Sequence, residues 1–253
     1  MNKPDLFFKG DCLEVMKTIA NESVDMILCD LPYGVLNKSN KDAKWDSIIP
    51  FDKLWEQYER IIKPNGAIVL FASGMFTAKL MMSNPKLWKY NLVWQKGGRV
   101  TGFLNSKRMP LREHEDIVVF YKKQPTYNPQ MVYNPESRNH SRGKQEKEQT
   151  NRCYGKMHKV EDLIIDYKYP RSVLNFAKPH PAIHPTQKPI KLCEWLIKTY
   201  TNEGETVLDN CMGSGTTGIA AKRTGRHFIG IENDEKYYLM AVERINNYQN
   251  FEN

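Results

Sequence analysis

The chain has 253 residues, of which 40% are hydrophobic and 26% charged, and this composition predicts a folded domain rather than a disordered tail. It contains no run of about 18 apolar residues. Only three apolar residues follow Met1–Asp5, so we expect neither a membrane span nor a signal peptide. Five cysteines without a CxxC pair exclude a disulfide framework and a zinc ribbon, and they predict a reducing, cytoplasmic location.

The net charge of +8 is concentrated in the middle third of the chain. Residues 86–168 contain 17 Lys and Arg against 9 Asp and Glu, whereas the remainder contains 20 of each kind. A local basic excess predicts a polyanionic partner. On charge alone, a basic face that only keeps the protein in solution is the alternative.

Apolar runs alternate with amphipathic stretches along the chain. Buried strands are predicted at 6–8, 24–29, 67–71, 117–121, 206–208 and 228–231, with a weaker candidate at 91–94. Helices are predicted near 12–20, 51–62, 75–83, 189–200, 215–224 and 234–248, the first capped by Asp11 with Glu14 in a capping box. The pattern predicts an α/β fold with a doubly wound, mostly parallel sheet.

Two parts of the chain depart from this alternation. No helical pattern separates 91–94 from 117–121, so these strands are expected to pair antiparallel at one edge of the sheet. Residues 122–187 are rich in Pro, Asn, Tyr and charge, and 138–149 contain no apolar residue. We expect an inserted, loop-rich segment there.

A glycine-rich turn at 207–218 joins a predicted strand to a predicted helix. Glycines let a backbone approach a ligand closely, and a helix N-terminus attracts negative charge. Glu232 ends the next strand, 23 residues after Asp209, where a carboxylate commonly binds ribose hydroxyls. The spacing is not GxGxxG and no GxxxxGK[ST] is present, which argues against a nicotinamide cofactor and a P-loop.

The tetrapeptide Asp30-Leu31-Pro32-Tyr33 follows a buried strand, at the position that faces the ligand crevice of an open α/β sheet. Pro32 stiffens the turn. A carboxylate beside a backbone carbonyl can accept two hydrogen bonds from one NH₂ group, and Tyr33 can stack on a flat ring. The four residues alone also fit a simple proline turn in which Asp30 is a cap.

Together these motifs resemble those of the β-class amino-directed DNA methyltransferases. Asp30–Tyr33 resembles their DPPY motif, and Asp209–Thr217 resembles their S-adenosylmethionine turn. His184–Pro189 and Gly10-Asp11 are similar to two shorter motifs of the family, in the β-class order. The resemblance implies a Rossmann-like, seven-stranded methyltransferase sheet with an antiparallel edge hairpin. It also implies a catalytic part at 1–121, an inserted target-recognition region at 122–178 and a cofactor-binding part at 179–253.

The resemblance also implies the role of each site residue. Asp30 and the Leu31 carbonyl would bind the exocyclic amine of the target base, with Pro32 shaping the turn and Tyr33 stacked on the base. The residues implied for S-adenosylmethionine are Asp11 at the adenine, Glu232 at the ribose, Thr186 and Lys188 at the carboxylate, and Asp209, Met212, Gly213, Ser214, Gly215 and Thr216 at the methionine end. Leu31 departs from the family's Pro, and Asn210-Cys211 departs from its Pro-Phe.

Double-stranded DNA is the implied partner, and its target base must leave the duplex to be reached. Basic residues in an acid-free window and in the insertion are the implied DNA contacts: Lys96, Arg99, Lys107, Arg108, Arg112, Arg138, Asn139 and Arg142. A homodimer is compatible with such a small recognition segment. We expect no metal, since His158, His180 and His184 lack ligand spacing, and no membrane partner.

Several alternatives stay open at this point. Adenine N6 is the favoured target because Asp stands at position 30, and cytosine N4 is its nearest rival. A nicotinamide oxidoreductase leaves the tetrapeptide without a task. A non-catalytic DNA-binding module and a protein-glutamine methyltransferase are the remaining alternatives, and the latter would not explain the basic insertion.

Overall fold

The computed structural model of the protein describes residues 5–35, 46–134, 167–180 and 187–248, together with the backbone of 150–151 and 155–156. The strands are β1 (Leu6–Lys9), β2 (Val24–Cys29), β3 (Ile62–Ala72), β4 (Trp88–Gln95), β5 (His114–Phe120), β6 (Val132–Tyr133), β7 (Thr150–Asn151), β8 (Gly155–Lys156), β9 (Tyr167–Lys168), β10 (Val173–Asn175), β11 (Thr206–Asp209) and β12 (His227–Glu232). The helices are α1 (Cys12–Met16), α2 (Phe51–Ile61), α3 (Met75–Ser83), α4 (Ile190–Tyr200), α5 (Thr216–Arg223) and α6 (Glu235–Asn246).

An eight-stranded sheet in the order β1-β12-β11-β2-β3-β5-β4-β10 forms the centre of the protein. All neighbouring strands are parallel except β5, which runs antiparallel to both β3 and β4. The α/β fold class, the mostly parallel sheet and the antiparallel β4–β5 pair are therefore confirmed.

The sheet has one strand more than the seven expected. The additional strand, β10, lies in the region assigned to the insertion and pairs parallel with β4, so the β4–β5 hairpin does not form the edge. The Val93 N–H donates to the Ser172 carbonyl at 2.8 Å, and the Trp94 indole N–H donates to the Phe176 carbonyl at 2.7 Å. A run of three residues is too short for the alternating pattern of a strand to be recognised in the sequence. β10 is defined only by its pairing with β4.

Helices cover both faces of the sheet, so its central strands are buried on both sides. All six residues of β2 are buried, and alternate residues enter different cores. Met26 and Leu28 pack with α4, α5 and α6 residues, whereas Ile27 and Cys29 pack with the apolar face of α2. That face consists of Leu54, Trp55, Tyr58 and Ile61, which have helical spacing.

Residues 129–171 form a separate compact unit. Within it, β6 and β9 pair antiparallel, and the rings of Tyr133 and Tyr167 lie 5.4 Å apart between centroids. The backbones of β7 and β8 also pair antiparallel. Among the described residues, no helix is long and apolar enough to cross a membrane.

Four parallel strands bring the sequence motifs to one edge of the sheet. β1, β2, β11 and β12 run in the same direction, so the residues that follow their carboxyl ends converge there. Lys9 is in register with Glu232, and the Gly10 N–H donates to the Glu232 carbonyl at 3.0 Å.

Candidate active site

One cavity of about 810 Å³ opens at this edge of the sheet. Its volume is within the range of pockets that hold small organic ligands. It is lined by nearly all of the described residues assigned to catalysis or cofactor binding: Asp11, Asp30, Leu31, Pro32, Tyr33, Lys188, Asp209, Met212, Gly213, Ser214, Thr216 and Glu232. The Asp30–Tyr33 tetrapeptide and the glycine-rich turn, which are far apart in the sequence, therefore share one cavity.

The glycine-rich turn is tied to the end of β12 by a carboxylate. Glu232 accepts hydrogen bonds from the Gly213 N–H at 2.8 Å and from the Asp234 N–H at 2.9 Å. Burial raises the pKa of the Glu232 carboxyl above its ordinary value, and these hydrogen bonds oppose the shift. Glu232 therefore shapes the turn and retains lone pairs toward the cavity.

Asp209 is buried at the end of β11, and its Oδ1 accepts the Cys211 N–H at 3.0 Å. Burial raises the pKa of its carboxyl to about 6. The neighbouring Asn210, where the family has Pro, accepts a hydrogen bond from the buried Tyr58 hydroxyl at 2.5 Å. This departure therefore replaces a rigid ring with a buried hydrogen bond.

Gly215 is the one described cofactor-assigned residue that does not line the cavity. Its φ is +77°, and an added Cβ would lie 3.0 Å from the Ile245 side chain and 3.1 Å from that of Ala241. Gly215 therefore serves the start of α5 and its close packing on α6, and its direct contact with the cofactor stays a prediction.

Asp11 caps α1, as predicted. Its side chain accepts the Leu13 N–H at 2.8 Å and the Glu14 N–H at 3.4 Å. Glu14 instead pairs with Lys17 at 2.7 Å, one turn along the helix. The Asp11 carboxylate still lines the cavity, so capping and ligand contact are compatible.

Two contacts of Tyr33, one through its hydroxyl and one through its ring, hold the tetrapeptide that follows β2. The Tyr33 hydroxyl donates to Asp30 Oδ1 at 2.9 Å. Its ring stacks on Phe76 of α3, with 4.7 Å between centroids and 26° between planes. Leu31 is buried in the core that includes α2 and α3, so an apolar side chain replaces the family's first Pro without loss of packing.

Lys188 contacts Asp30 instead of projecting only toward the cofactor side. Its Nζ lies 2.5 Å from Asp30 Oδ2 and 3.4 Å from Glu115 Oε2, and it stands 5.0 Å from the centre of the Phe71 ring. Burial raises the pKa of the Asp30 carboxyl, and the Lys188 ammonium opposes this shift. The contact of Lys188 with the cofactor carboxylate stays a prediction, and the structure adds an ion pair with Asp30.

Lys96 lies inside the cavity and not on the predicted DNA surface. It is 3% exposed, its ammonium pairs with Glu115 Oε1 at 2.8 Å, and it stands 5.7 Å from the Trp94 ring centre. Lys96 continues the alternation of β4, in which Leu92 and Trp94 are also buried. The prediction from charge alone did not consider this alternation. Lys96, Glu115, Lys188 and Asp30 form a continuous ionic chain, called the ion network below.

The other described basic residues of the acid-free window are exposed, namely Arg99, Lys107, Arg108 and Arg112. Arg112 also lines the cavity and donates to the Ser73 hydroxyl at 3.3 Å. Thr186, Arg138, Asn139 and Arg142 lie outside the described residues. The exposed set therefore starts at the cavity and extends along the loop between β4 and β5.

Comparison with known proteins decides the family. The family model described as a DNA methylase, with N6 and N4 specificities in its name, matches residues 24–243. The chain belongs to the N6/N4 DNA methylase family. The type II methyltransferase M.HinfI of Haemophilus influenzae is 30% identical to the methylase over 94% of this chain and 67% of its own length.

Solved structures share the fold of the methylase. The complex of M1.HpyAVI with S-adenosylmethionine matches it with a TM-score of 0.64 and 24% identity, over 95% of this chain and 98% of that one. The PvuII cytosine-N4-specific DNA methyltransferase matches with a TM-score of 0.69 and 15% identity, over 99% and 89%. The PvuII enzyme is thus a cytosine-N4-specific protein with the fold of this chain.

Glu115 is the residue of the methylase that sequence reasoning left unassigned. Because β5 is antiparallel, its first residues, and not its last, reach the edge where the parallel strands end. Glu115 Oε2 is buried and has no hydrogen-bond partner among the described residues, although the Lys188 ammonium lies 3.4 Å away. Only the direction of β5 shows that Glu115 enters the cavity.

One cysteine near the site, Cys29, is buried. Burial raises the pKa of the Cys29 thiol to about 12, so it stays protonated at neutral pH. Its side chain packs in the core with Ile27 and Leu31. Cys29 is therefore a packing residue of this core.

Proposed function

We propose that this methylase uses S-adenosylmethionine to methylate the N6 amine of adenine within a specific sequence of double-stranded DNA. The supporting observation is the single cavity, which joins the glycine-rich turn to the Asp30 tetrapeptide. A transfer reaction requires that a methyl donor and an acceptor amine occupy one site, and this cavity brings together the groups suited to each.

The residues at the glycine-rich turn fit S-adenosylmethionine. Glu232 and Asp11 provide carboxylate oxygens for hydroxyl and amine donors, and Asp209 provides a buried negative charge for a cationic ligand. The turn lets the backbone of Met212 and Gly213 approach a ligand closely. When bound there, S-adenosylmethionine supplies an electrophilic methyl carbon.

Asp30 and the Leu31 carbonyl provide the acceptors for the amine. The lone pair of an exocyclic amine is delocalised into its ring, so the nitrogen is a poor nucleophile. Two acceptors that bind its hydrogens favour a tetrahedral nitrogen and localise the lone pair. Asp30 must be ionised to accept, and the Lys188 ammonium at 2.5 Å favours the ionised form against the effect of burial.

The target base must leave the duplex, because the amine inside a base pair cannot reach a cavity lined by protein. Arg99, Lys107, Arg108 and Arg112 are exposed beside the cavity and supply positive charge for phosphates. Base recognition is assigned to 122–178, including Arg138, Asn139 and Arg142. A homodimer remains compatible with this arrangement.

Cytosine N4 is the second candidate target. The PvuII enzyme, whose fold the chain shares, is specific for cytosine N4, and Asp30 could accept either amine. Asp at position 30 favours adenine within the family.

The purified protein and S-adenosylmethionine are incubated with unmethylated genomic DNA, which is then digested and read by mass spectrometry. N6-methyladenine supports the proposal, and N4-methylcytosine would transfer the assignment to the second candidate. Modification-sensitive sequencing of the same DNA reports the recognition sequence. An Asp30→Ala protein is the control, and methylated DNA from that control would contradict the catalytic role of Asp30.

A further inference from the structure

The loop of residues 97–112, between β4 and β5, presents large apolar side chains to solvent. Phe103 and Met109 are 65% and 56% exposed, and Leu104 is fully exposed. These three residues are called the apolar tip. Because exposed apolar side chains grouped in one loop commonly mark an interaction surface, the apolar tip indicates a partner.

The shape of the loop does not depend on packing of the apolar tip. Thr101 and Arg112 exchange two backbone hydrogen bonds of 2.9 Å across the base of the loop. Gly102, with φ of +95°, begins a 3-10 turn over Phe103–Asn105, and the Asn105 N–H donates to the Gly102 carbonyl at 2.9 Å. Backbone hydrogen bonds therefore hold Leu104 outward in the free protein.

The position of the loop connects the apolar tip to the cavity. Thr101, Gly102 and Arg112, at the base of the loop, line the same cavity as Asp30. Arg99, Lys107 and Arg108 are exposed in the same loop. A partner of the apolar tip must therefore accept positive charge around an apolar centre and lie next to the cavity mouth.

We propose that the apolar tip enters double-stranded DNA at the target site, where Leu104 fills the space left by the base that moves into the cavity. The inference rests on the proposed function, since it requires a base to leave the duplex. Flanking base pairs offer apolar faces to such a side chain. Its insertion replaces the stacking contacts that these pairs lose when the target base leaves. The basic residues of the loop meet nearby phosphates.

Charge favours DNA over a second copy of the chain. An isologous contact through the apolar tip would bring Arg99, Lys107 and Arg108 of two protomers together. Like charges placed opposite each other oppose association, whereas a polyanion neutralises them.

The experiment compares methyl transfer to two oligonucleotide duplexes that carry the recognition sequence mapped for the wild-type protein. One duplex is fully paired, and the other has an abasic position opposite the target base, so that the base leaves the helix without breaking a pair. The variants are Leu104→Ala and, as a matched control on α6, Leu239→Ala, whose side chain is 59% exposed. Rates are measured in single turnovers with saturating enzyme and S-adenosylmethionine.

Leu104→Ala is expected to slow transfer to the paired duplex by about tenfold or more and to stay within about twofold of wild type on the abasic duplex. Leu239→Ala is expected to match wild type on both. Equal losses of Leu104→Ala on the two duplexes, or no loss on either, would overturn the inference and leave the proposed function intact.

Two further outcomes are distinguishable. If wild type methylates no genomic DNA, so that no recognition sequence can be mapped, the proposed function fails first, and the role of the apolar tip fails with it. If Leu104→Ala changes the sedimentation of the DNA-free protein, the apolar tip is a contact between copies of the chain, and its insertion into DNA is overturned.

Discussion

The Nζ of Lys188 lies 2.5 Å from Oδ2 of Asp30, although 158 residues separate the two in the sequence. The ammonium is buried, and Glu115 and Lys96 continue the ion network behind it. In the proposed reaction, Asp30 would meet the substrate amine with this cation beside it, and the ammonium lowers the pKa of its carboxyl against the effect of burial.

Removal of the Lys188 charge should move the pH dependence of methyl transfer. Burial raises the pKa of Asp30 and Lys188 lowers it, so Lys188→Met is expected to raise that pKa further. Since only ionised Asp30 accepts the amine, activity should be lost at a higher pH as pH falls. The acid limb of the kcat/KM profile measures this. Lys188→Arg, which keeps the charge, should restore the wild-type limb, and an unmoved limb in Lys188→Met would contradict the role of the pair.

Asp30→Ala should reduce methyl transfer by about 10²–10⁴-fold, because an acceptor of the amine is lost. S-adenosylmethionine binding, measured by calorimetry, should change little. Asp30→Asn keeps the shape and removes the charge, and thermal unfolding of both variants separates a folding defect from a chemical one. A variant with normal transfer but weak cofactor binding would assign Asp30 to the cofactor.

Cofactor affinity should depend on pH through Asp209. Burial raises the pKa of its carboxyl to about 6, and only the ionised form attracts the cationic cofactor. Affinity should therefore weaken as pH falls through about 6, approaching about tenfold per pH unit well below it. Titrations from about pH 5 to 8 test this, since S-adenosylmethionine has no ordinary pKa near 6. Asp209→Asn should bind weakly with a flat profile, and a wild-type slope in that variant would point to another group.

Arg108 and Arg112 should contribute to the salt dependence of DNA binding. If each contacts one phosphate, their double replacement by Ala should lower the slope of log K against log salt by about 1.8. Replacement of Lys191 and Lys198, exposed on α4, is the matched control and should leave the slope unchanged. Lys96→Met should also leave it unchanged because Lys96 is buried in the ion network. An unaltered slope in the arginine variant would place the basic surface elsewhere.

Gly204 and Gly215 have nearly the same φ, so their replacement by Ala distinguishes backbone strain from crowding of the added methyl group. Gly204 and Gly215 have φ of +78° and +77°, but only the Cβ of Gly215 would meet Ile245 and Ala241. Gly204→Ala should cost about 1 kcal/mol of unfolding free energy, and Gly215→Ala about 2–4 kcal/mol, because crowding adds to strain. Denaturant unfolding measures both. Equal losses of unfolding free energy in the two variants would mean that α6 shifts to accommodate the added methyl group.

Local pattern predicted most of the helices and strands. The apolar spacing predicted α3 with its observed bounds, and the runs around Val24 and Phe228 predicted β2 and β12. α1 ends at Met16, earlier than expected, and β3 begins at Ile62, before its apolar run. Element interiors follow side-chain periodicity, whereas their ends depend on hydrogen bonds to neighbouring elements.

The sequence by itself determined the α/β fold class, the order of the motifs and the identity of Asp30, Asp209 and Glu232 as candidate residues, because strand and helix periods and the residues at strand ends are local properties. Only the tertiary structure decided the partners of the buried cations. Lys96 was assigned to DNA by its charge and Lys188 to the cofactor carboxylate by the family resemblance, and both belong to the ion network. The pairing of a buried charge depends on which distant strand lies beside it, and the antiparallel direction of β5 brings Glu115 between the two lysines.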